Sequence, residues 1–399
     1  MSSHRENISK FVEGLIQKED VQKLYQTYED DLHSITPQEV FELLSNRLKI
    51  GARPAEILPF VDKLINVFYV ALSGYSWKKP EEGTFLFYLM KENDALIGIL
   101  EAFKNVIKSG NLNEEKPALK TLLKQSEAYN SHLQKLENIL FPYMEKASDN
   151  FSGLTILWTL HDETRKIIKE MRSNVDLEQM DEKLLRIQLG QLYFKLYGLV
   201  QKQTLLLFPA AVNILSENDF KAMHLQSFDY DFPYIIAPEK PNESLSDLLY
   251  EPGGIAEREF RDEMMIKTDT GILTLSQMIH VLNHLPVDIT FVDADDKVVF
   301  FSKPKHRIFP RSAAVIGRNV RNCHPSESVD KVEAIIQSFK VGERDTESFW
   351  IQMKGMFILI QYFAVRDDMG NYLGTLEVSQ EISQIQKLKG EKRLMSLDK

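Results

Sequence analysis

Four long amphipathic segments between residues 84 and 222 constrain the fold of this chain most strongly. Their apolar residues recur at helical spacing, and the connections between them are short and polar, as at Ser148-Asp149-Asn150. The predicted helices cover about 84–108, 115–146, 153–172 and 178–216. Long helices joined by short loops favour an up-down-up-down four-helix bundle, an architecture that holds metal and cofactor sites in its core. Inward-facing His and Glu residues are therefore the first candidates for a site.

The C-terminal third has a different pattern, in which β-branched and aromatic residues form five predicted strands. The strands are predicted at 288–293, 297–301, 348–354, 356–363 and 372–378. A helical segment at 329–339 separates the first two strands from the last three, so we predict a mixed α/β domain. The final segment, 382–395, is rich in Lys and Glu and is predicted to be a terminal helix.

Two further regions complete the predicted organisation. Residues 5–72 contain short amphipathic segments, and Thr36-Pro37-Gln38-Glu39 has the pattern of a helix N-terminus with a capping box. Residues 226–268 combine acidic residues with Pro and Gly and keep no helical period, which indicates a linker or extended arm. The predicted fold class is α followed by α/β, in four parts: a helical leader at 1–75, a four-helix bundle at 78–225, an acidic arm at 226–268, and an α/β domain with a terminal helix at 269–399.

Charge and composition narrow the classes of function. Lys and Arg total 48 and Asp and Glu total 58, so the formal charge is 48 − 58 = −10, which argues against sequence-independent binding of nucleic acid. The single cysteine, Cys323, excludes an intrachain disulfide. The start of the chain has no apolar signal segment, and the most apolar stretch, 192–215, is interrupted by Lys, Gln and Pro. We therefore expect a cytoplasmic protein without a membrane span.

Several phrases resemble known domains. Those that resemble a PAS sensor domain are Pro286-Val-Asp-Ile-Thr-Phe-Val-Asp-Ala-Asp, Phe349-Trp-Ile-Gln-Met-Lys-Gly355, Ala364-Val-Arg-Asp-Asp-Met-Gly370 and, in the place of the usual Asp-Ile-Thr terminator, Glu381-Ile382-Ser383. In the predicted bundle, Leu157-Trp-Thr-Leu-His-Asp-Glu163 resembles hemerythrin-like domains. The whole chain is similar to a bacterial family that combines a helical leader of unknown function, a hemerythrin-like (HHE) domain and a C-terminal PAS domain.

The hemerythrin-like resemblance implies a di-iron site with His and carboxylate ligands on all four helices. Two similar phrases, at 135–142 and 202–209, test this implication, because they align at an offset of 208 − 141 = 67. In this alignment Glu137 is opposite Thr204, and His132 is opposite an apolar residue. The second phrase therefore has none of the ligands that the resemblance implies there. The first bundle helix contains no histidine either.

The candidate metal ligands that remain are His132, Glu137, His161 and Glu163. They lie on only two helices, and a pair of irons needs about five to seven protein ligands on four helices. We therefore predict a bundle without a di-iron centre. One weakly held metal ion on this remnant site is the alternative. A hydrogen-bonded polar pair of His161 with Glu163, without any metal, is the simplest role for those two residues.

The tetrapeptide Asn322-Cys323-His324-Pro325 contains the only cysteine next to a histidine. Because His and Cys thiolate are axial ligands of haem iron, one hypothesis places haem or another small ligand beside His324 or Cys323. The alternative is a loop that begins a helix, in which Cys323 packs as a small apolar residue. Nearby basic residues are predicted to form a solvated surface, with a site for an anion or an acidic partner as the alternative: Lys303, Lys305, His306, Arg307, Arg311 and Arg318.

These features together predict a cytoplasmic sensor or adaptor. Its PAS domain would bind a small ligand or a protein partner, and its degenerate bundle would serve as a scaffold. The alternative is an iron- or haem-containing protein that responds to oxygen or nitric oxide through the bundle. No nucleophile–base arrangement supports an enzyme. An apolar helix face over 272–285 favours a homodimer, and the lack of a recognisable output domain implies that a signal leaves through a protein partner.

Overall fold

The computed structural model describes residues 3–108, 111–242, 264–324, 326–353 and 355–391. Contacts divide the chain into two compact units. The first unit consists of Met1–Leu249 and Ser312–Ala314, and the second consists of Tyr250–Arg311 and Val315–Lys399. The first is helical and the second contains the sheet, so the predicted fold class is confirmed.

Five short helices form the N-terminal part of the first unit. They are α1 (Ser3–Ile16), α2 (Val21–Leu32), α3 (Pro37–Lys49), α4 (Pro54–Val67) and α5 (Tyr69–Gly74). α3 begins as its sequence predicts, because the Glu39 amide donates to the Thr36 hydroxyl at 3.3 Å and the Thr36 amide donates to the Glu39 carboxylate at 3.0 Å. Both amides would otherwise lack a partner at the first turn.

Four long helical runs follow and form the predicted bundle. The first run is α6 (Phe85–Lys108) and the third is α10 (Leu154–Val175). The second run consists of α7 (Lys116–Ala128), α8 (Asn130–Lys135), a π-helical turn (Leu136–Leu140) and α9 (Phe141–Ala147). The fourth consists of α11 (Glu182–Lys202), a second π-helical turn (Gln203–Leu207) and α12 (Phe208–Ile214), and α13 (Glu217–Ser227) follows it. No helix in the described ranges is long and apolar enough to cross a bilayer.

The two π-helical turns occupy equivalent positions in their runs, because their first residues differ by 203 − 136 = 67. This is the offset at which the two Leu-Phe-Pro phrases align in the sequence, so the alignment is confirmed. Pro142 and Pro209 are each the second residue of the helix that follows. Proline has no N–H, and in an α-helix its ring clashes with the carbonyl four residues earlier, so a wider turn before each proline relieves the clash.

The leader and the bundle share one apolar core. A single cluster of buried apolar side chains extends from α1 to the segment that follows α13. Within it the rings of Phe41 and Phe151 lie 5.2 Å apart, and the Ser45 hydroxyl donates to the Asn150 carbonyl at 2.6 Å. The predicted boundary at residues 75–78 is therefore a loop and not a break between two cores.

A five-stranded antiparallel sheet forms the centre of the second unit. Its strands are β3 (Asp288–Asp293), β4 (Val298–Phe301), β5 (Thr346–Met353), β6 (Met356–Arg366) and β7 (Tyr372–Glu381), in the spatial order β4-β3-β7-β6-β5. A hairpin of β1 (Met265–Thr268) and β2 (Gly271–Thr274) and the helix α14 (Leu275–His284) precede the sheet. The helix α15 (Ser326–Lys340) lies between β4 and β5 in the chain. The five predicted strands and the predicted helix are present, with small shifts at their ends.

One face of the sheet is covered by α15. Thr290 of β3, Glu377 of β7 and Tyr362 of β6 lie directly opposite one another on three neighbouring strands. Because side chains alternate between the two faces of a sheet, these three residues share a face. Phe339 of α15 is buried in one apolar cluster with Ile358 and Tyr362. The face that contains Thr290, Glu377 and Tyr362 is therefore the inner face of the sheet.

The connecting and terminal segments differ from the sequence predictions. The acidic arm predicted at 226–268 is not a single extended segment, because α13 includes residues 226 and 227 and Tyr230 is buried. Residues 243–263 of that arm lie outside the described residues. The terminal helix predicted at 382–395 is wrong over 382–391, where only a 3₁₀ turn, Ile385–Lys387, is present. No residue of this turn is buried, so no packing stabilises a longer helix there. Residues 392–395 lie outside the described part.

Candidate functional site

A glutamate, a histidine and a lysine are completely buried together in the bundle. The Glu92 carboxylate on α6 accepts a hydrogen bond from His132 Nδ1 at 2.7 Å. Its other oxygen forms an ion pair with the ammonium group of Lys135, which shares α8 with His132. Burial lowers the pKa of Lys135, and Glu92 opposes that effect. The Lys135 ammonium also lies 4.2 Å from the centre of the Phe232 ring, so an aromatic face shields it from the other side.

Polar side chains from α6, from the second π-helical turn and from the start of α8 surround His132. Its Nε2 lies 2.9 Å from Gln203 Oε1, and Asn93 Nδ2 donates to the same oxygen at 2.7 Å. The Tyr129 hydroxyl donates to Asn93 Oδ1 at 2.8 Å, and the Tyr129 ring stacks on the His132 ring at 4.5 Å. Burial raises the pKa of Tyr129, so its hydroxyl stays protonated and donates. Both ring nitrogens of His132 therefore have hydrogen-bond partners, and neither is left for a metal ion.

A second buried carboxylate, Glu137 in the first π-helical turn, has a similar pair of partners. His161 Nδ1 donates to one oxygen at 2.8 Å, and Arg165 donates to the other at 2.8 Å. Arg165 also donates to Asp162 and to Asn130, at 2.8 Å each. Burial acts to raise the pKa of Glu137, but Arg165 and His161 outweigh it and the pKa is lowered. Burial lowers the pKa of His161, which therefore holds a neutral ring beside a charged carboxylate.

These two clusters do not fit a di-iron centre. Each buried carboxylate has a histidine on one oxygen and a lysine or an arginine on the other. Fixed cations thus already supply the positive charge that metal ions would bring to such a site. Across the described ranges, no three His, Cys, Asp or Glu side chains are grouped closely enough to hold a metal ion.

The four candidate metal ligands from the sequence are only partly brought together. Glu137 contacts His161, whereas His132 contacts Glu92 of another helix. Glu163 does not belong to either cluster, because its carboxylate pairs with Lys195 and its side chain is 42% exposed. The predicted pair of His161 with Glu163 is therefore wrong. Residues two positions apart in a helix point about 200° away from each other, so His161 and Glu163 cannot face the same group.

The members of these clusters that sequence reasoning missed include the charged partners Glu92, Lys135 and Arg165. A usable signal was present for two of them. Lys135 follows His132 by three positions and Arg165 follows His161 by four, so each cation shares a helix face with a histidine. Glu92 gave no such signal, because its neighbours in the chain are polar.

A second polar group lies on the inner face of the sheet. An Arg311 nitrogen lies 3.2 Å from Glu377 Oε2, and the two side chains are 13% and 14% exposed. The Nε of Arg311 is buried and has no hydrogen-bond partner. Tyr362 is 8% exposed, and the described residues give its hydroxyl no partner either. Burial raises the pKa of Tyr362, so this hydroxyl remains a donor.

His324 and Cys323 have different surroundings. Burial lowers the pKa of His324 to about 4; the nearby Glu377 opposes the shift, and Arg311 and Arg318 add to it. His324 is therefore a neutral imidazole next to the inner-face polar group. Cys323 ends a 3₁₀ turn, packs against an apolar cluster, and directs its thiol at a backbone carbonyl at 3.6 Å. Cys323 thus has the packing role that the helix-start alternative predicted.

The solvated basic surface predicted at 303–318 is wrong for its three arginines. Arg307 is 10% exposed, and its Nε lies 3.7 Å from the Asp288 carboxylate. Arg311 pairs with Glu377 of β7, and Arg318 is 3% exposed. The three other basic residues of this stretch are exposed, as predicted. Burial lowers the pKa of Arg307, and Asp288 compensates by supplying the opposite charge.

Two family models match separate parts of the chain. One, described as a hemerythrin HHE cation binding domain, matches residues 84–196, and the other, described as a PAS domain, matches residues 278–383. The chain contains an HHE domain and a C-terminal PAS domain. The resemblance seen in the sequence is thereby confirmed, and the helical N-terminal leader agrees with it. The two buried carboxylates belong to the HHE domain, and the inner face of the sheet belongs to the PAS domain.

Three solved structures are similar to part of the chain. The C-terminal domain of a Streptococcus mutans protein is 34% identical over 32% of this chain and 98% of that chain, with a TM-score of 0.31. A PAS domain from Colwellia psychrerythraea is 16% identical over 28% of this chain and 98% of that chain, with a TM-score of 0.23. The PAS domain of Bordetella pertussis BvgS is 16% identical over 33% and 93%, with a TM-score of 0.23. No curated protein matches the chain.

Proposed function

We propose that this protein is a cytoplasmic sensor or adaptor whose PAS domain binds a small polar ligand and whose HHE domain is a scaffold without metal. The PAS domain supports a sensor role in general, and an HHE domain is compatible with metal binding in general. The residues of this chain favour the sensor role over metal binding.

The observation that carries the proposal is the set of unpaired polar atoms on the inner face of the PAS sheet. Arg311 Nε and the Tyr362 hydroxyl are both donors, and neither has an acceptor among the described residues. A buried donor without an acceptor, as Arg311 Nε is, costs about 1–3 kcal/mol, which favours a bound group that accepts from Arg311 and from the Tyr362 hydroxyl on the same face. His324 adds a neutral ring next to the same group.

The chemistry of these donors defines the ligand class. A carboxylate or carbonyl oxygen accepts from both a guanidinium N–H and a phenol O–H. The side chain of Phe339 already covers the apolar end of the inner face together with Ile358 and Tyr362. This packing favours a small ligand over a large planar one. Short mono- and dicarboxylates are therefore the proposed ligands.

Calorimetric titration of the full chain with acetate, pyruvate and succinate tests this proposal. We expect saturable binding of at least one of them, and binding about fivefold weaker in Tyr362→Phe, because one hydrogen bond contributes about 1 kcal/mol. The PAS domain of this variant should be as stable as the parent, since the hydroxyl has no partner among the described residues. Tyr193→Phe, a half-buried tyrosine of the HHE domain, is the matched control with unchanged affinity. Equal affinity in the parent and in Tyr362→Phe contradicts the assignment.

Haem is the second candidate ligand, and the specific observation that favours it is the neutral ring of His324. Haem titration of the full chain followed by absorbance distinguishes the two candidates. If His324 is the axial ligand, a Soret band forms in the parent and in Cys323→Ser but is lost in His324→Ala. A Soret band that forms equally in all three proteins excludes both His324 and Cys323 as the axial ligand.

The scaffold role of the HHE domain rests on Lys135 and Arg165, which neutralise the buried carboxylates in place of metal ions. Metal analysis of anaerobically purified protein tests this part of the proposal. We expect far less than one iron per chain. A content of about two irons per chain would show that the clusters rearrange to bind a di-iron centre, and it would favour the oxygen- or nitric-oxide-responsive alternative.

A further inference from the structure

A cleft in the helical unit, beside the start of α6, has the features of a binding site that neither proposed role uses. Its volume is about 540 Å³, within the range of about 300–1,000 Å³ typical of pockets for small molecules. Its walls are the loop at 78–84, the first turn of α6, the end of α12, α13 and Pro241. The five α13 residues in the wall are spaced as one helical stripe: Glu217, Phe220, Lys221, His224 and Leu225.

The deeper wall of the cleft is apolar. Its side chains come from three different helices and are buried or half-buried: Leu86, Val212, Leu215, Phe220 and Leu225. Apolar surface that remains open to solvent in such a concave wall favours a hydrocarbon or aromatic group as its occupant.

The rim of the cleft carries more positive than negative charge, although the protein as a whole is acidic. Lys78 pairs with both acidic residues of the cleft, Glu81 and Glu217, at 3.7 Å each. Lys79 lies over the Trp77 ring at 3.8 Å, and no described carboxylate pairs with it. Lys221 likewise has no carboxylate partner in the part of the chain that the structure describes. Two lysines are thus left to bind an anion.

His224 provides a directed polar group in the wall. Its ring is 8% exposed, stacks on Tyr88 at 5.4 Å, and contacts Phe228 edge-on at 5.1 Å. Its Nδ1 is buried without a hydrogen-bond partner. Burial lowers the pKa of His224, with a further contribution from Lys135, so the ring is neutral. An unpaired N–H costs more to bury than an unpaired acceptor, which puts the proton on Nε2 and makes that atom the donor left for the cleft.

We propose that this cleft binds an amphipathic carboxylate, with its hydrocarbon chain on the apolar wall and its head group between Lys221, Lys79 and His224. Lys221 and His224 are three positions apart on α13, so their side chains are neighbours on one face of the helix. One head group can therefore contact both. The arrangement recognises the negative head group and the apolar tail at the same time, which explains why uncompensated lysines and an open apolar wall occur together.

Calorimetric titration of the full chain with decanoate, and with decanol as the uncharged analogue, tests the proposal. We expect saturable binding of decanoate and binding of decanol that is at least fivefold weaker. Lys221→Glu should weaken decanoate binding about tenfold, and His224→Phe, which keeps a ring against Tyr88, should weaken it about threefold. Lys183→Glu makes the same charge change on an exposed lysine of α11. Lys183 lies near Arg186, which contacts the far end of α6, so Lys183→Glu should leave the affinity for decanoate unchanged.

Each result decides the proposal. Equal affinities for decanoate and decanol overturn it, because a purely apolar cleft does not need the lysines. Equal effects of Lys221→Glu and Lys183→Glu also overturn it, because binding then depends on net charge alone. Absence of saturable decanoate binding up to millimolar concentrations also overturns the proposal. Tyr362→Phe should leave decanoate binding unchanged, so failure at this cleft and failure of the proposed PAS ligand site are distinguishable.

Discussion

Replacement of Lys135 by methionine tests the interpretation of the HHE domain most directly. In the parent, Glu92 is fully buried and its two oxygens contact His132 and Lys135. Lys135→Met keeps the length of the side chain and removes only its charge, so little cavity forms. One oxygen of a buried carboxylate then has no cation beside it. Removal of one partner from a buried ion pair costs about 3–5 kcal/mol, and loss of the contact with Phe232 adds to that cost.

Two further variants separate charge from packing. In Glu92→Gln with Lys135→Met, no unpaired charge remains, and the amide still reaches His132. We expect this double variant to lie within about 1–2 kcal/mol of the parent, because a buried ion pair replaced by neutral groups is often almost neutral in stability. Lys104→Met is the matched surface control. Lys104 pairs with Glu101 while 41% exposed, so its loss should cost less than about 1 kcal/mol.

The assay is urea unfolding of the full chain in a Trp350→Phe background, which removes the only tryptophan of the second unit. Fluorescence of Trp77 and Trp158 then reports the HHE domain and its leader alone. A cost for Lys135→Met as small as that for Lys104→Met would refute the role of the buried ammonium. A double variant as unstable as the single one would show that packing, and not charge, sets the cost.

Three other predictions concern the second unit. The pKa of His324 in the folded protein is about 4, below its ordinary 6.5. The free energy of unfolding of the PAS domain should therefore be highest above about pH 6.5 and fall by up to about 3 kcal/mol as the pH decreases towards 4. His324→Gln should remove this pH dependence in urea titrations. Gly374→Ala should destabilise the sheet by at least about 3 kcal/mol in thermal unfolding, because an added Cβ would clash with the Val292 carbonyl oxygen of β3. An added Cβ at Gly271 has open space, so Gly271→Ala should cost under about 1 kcal/mol. Light scattering should show a homodimer that Leu285→Glu dissociates, and a monomeric parent at tens of micromolar would contradict the dimer predicted from 272–285.

Local sequence determined most of the elements of this protein. The spacing of apolar residues predicted the helices of the bundle, and alternation predicted the strands of the PAS domain, because both signals depend only on residues close in the chain. The repeated Leu-Phe-Pro phrase predicted that the two runs align at an offset of 67, whereas the π-helical turn before each proline was not predicted and was found only in the structure. The predicted terminal helix failed, because a charged segment without a buried face gains nothing from packing.

Only the tertiary structure decided which groups face one another inside each unit. Glu92 lies 43 residues before Lys135, and His132 lies 71 residues before Gln203, and no spacing rule predicts contacts at such separations. The same limit applies to Arg311 and Glu377, which are 66 residues apart. A buried charge depends on the full set of side chains that enclose it. The sequence therefore predicted where helices and strands form, whereas the fold decided that fixed cations neutralise the carboxylates of the HHE core.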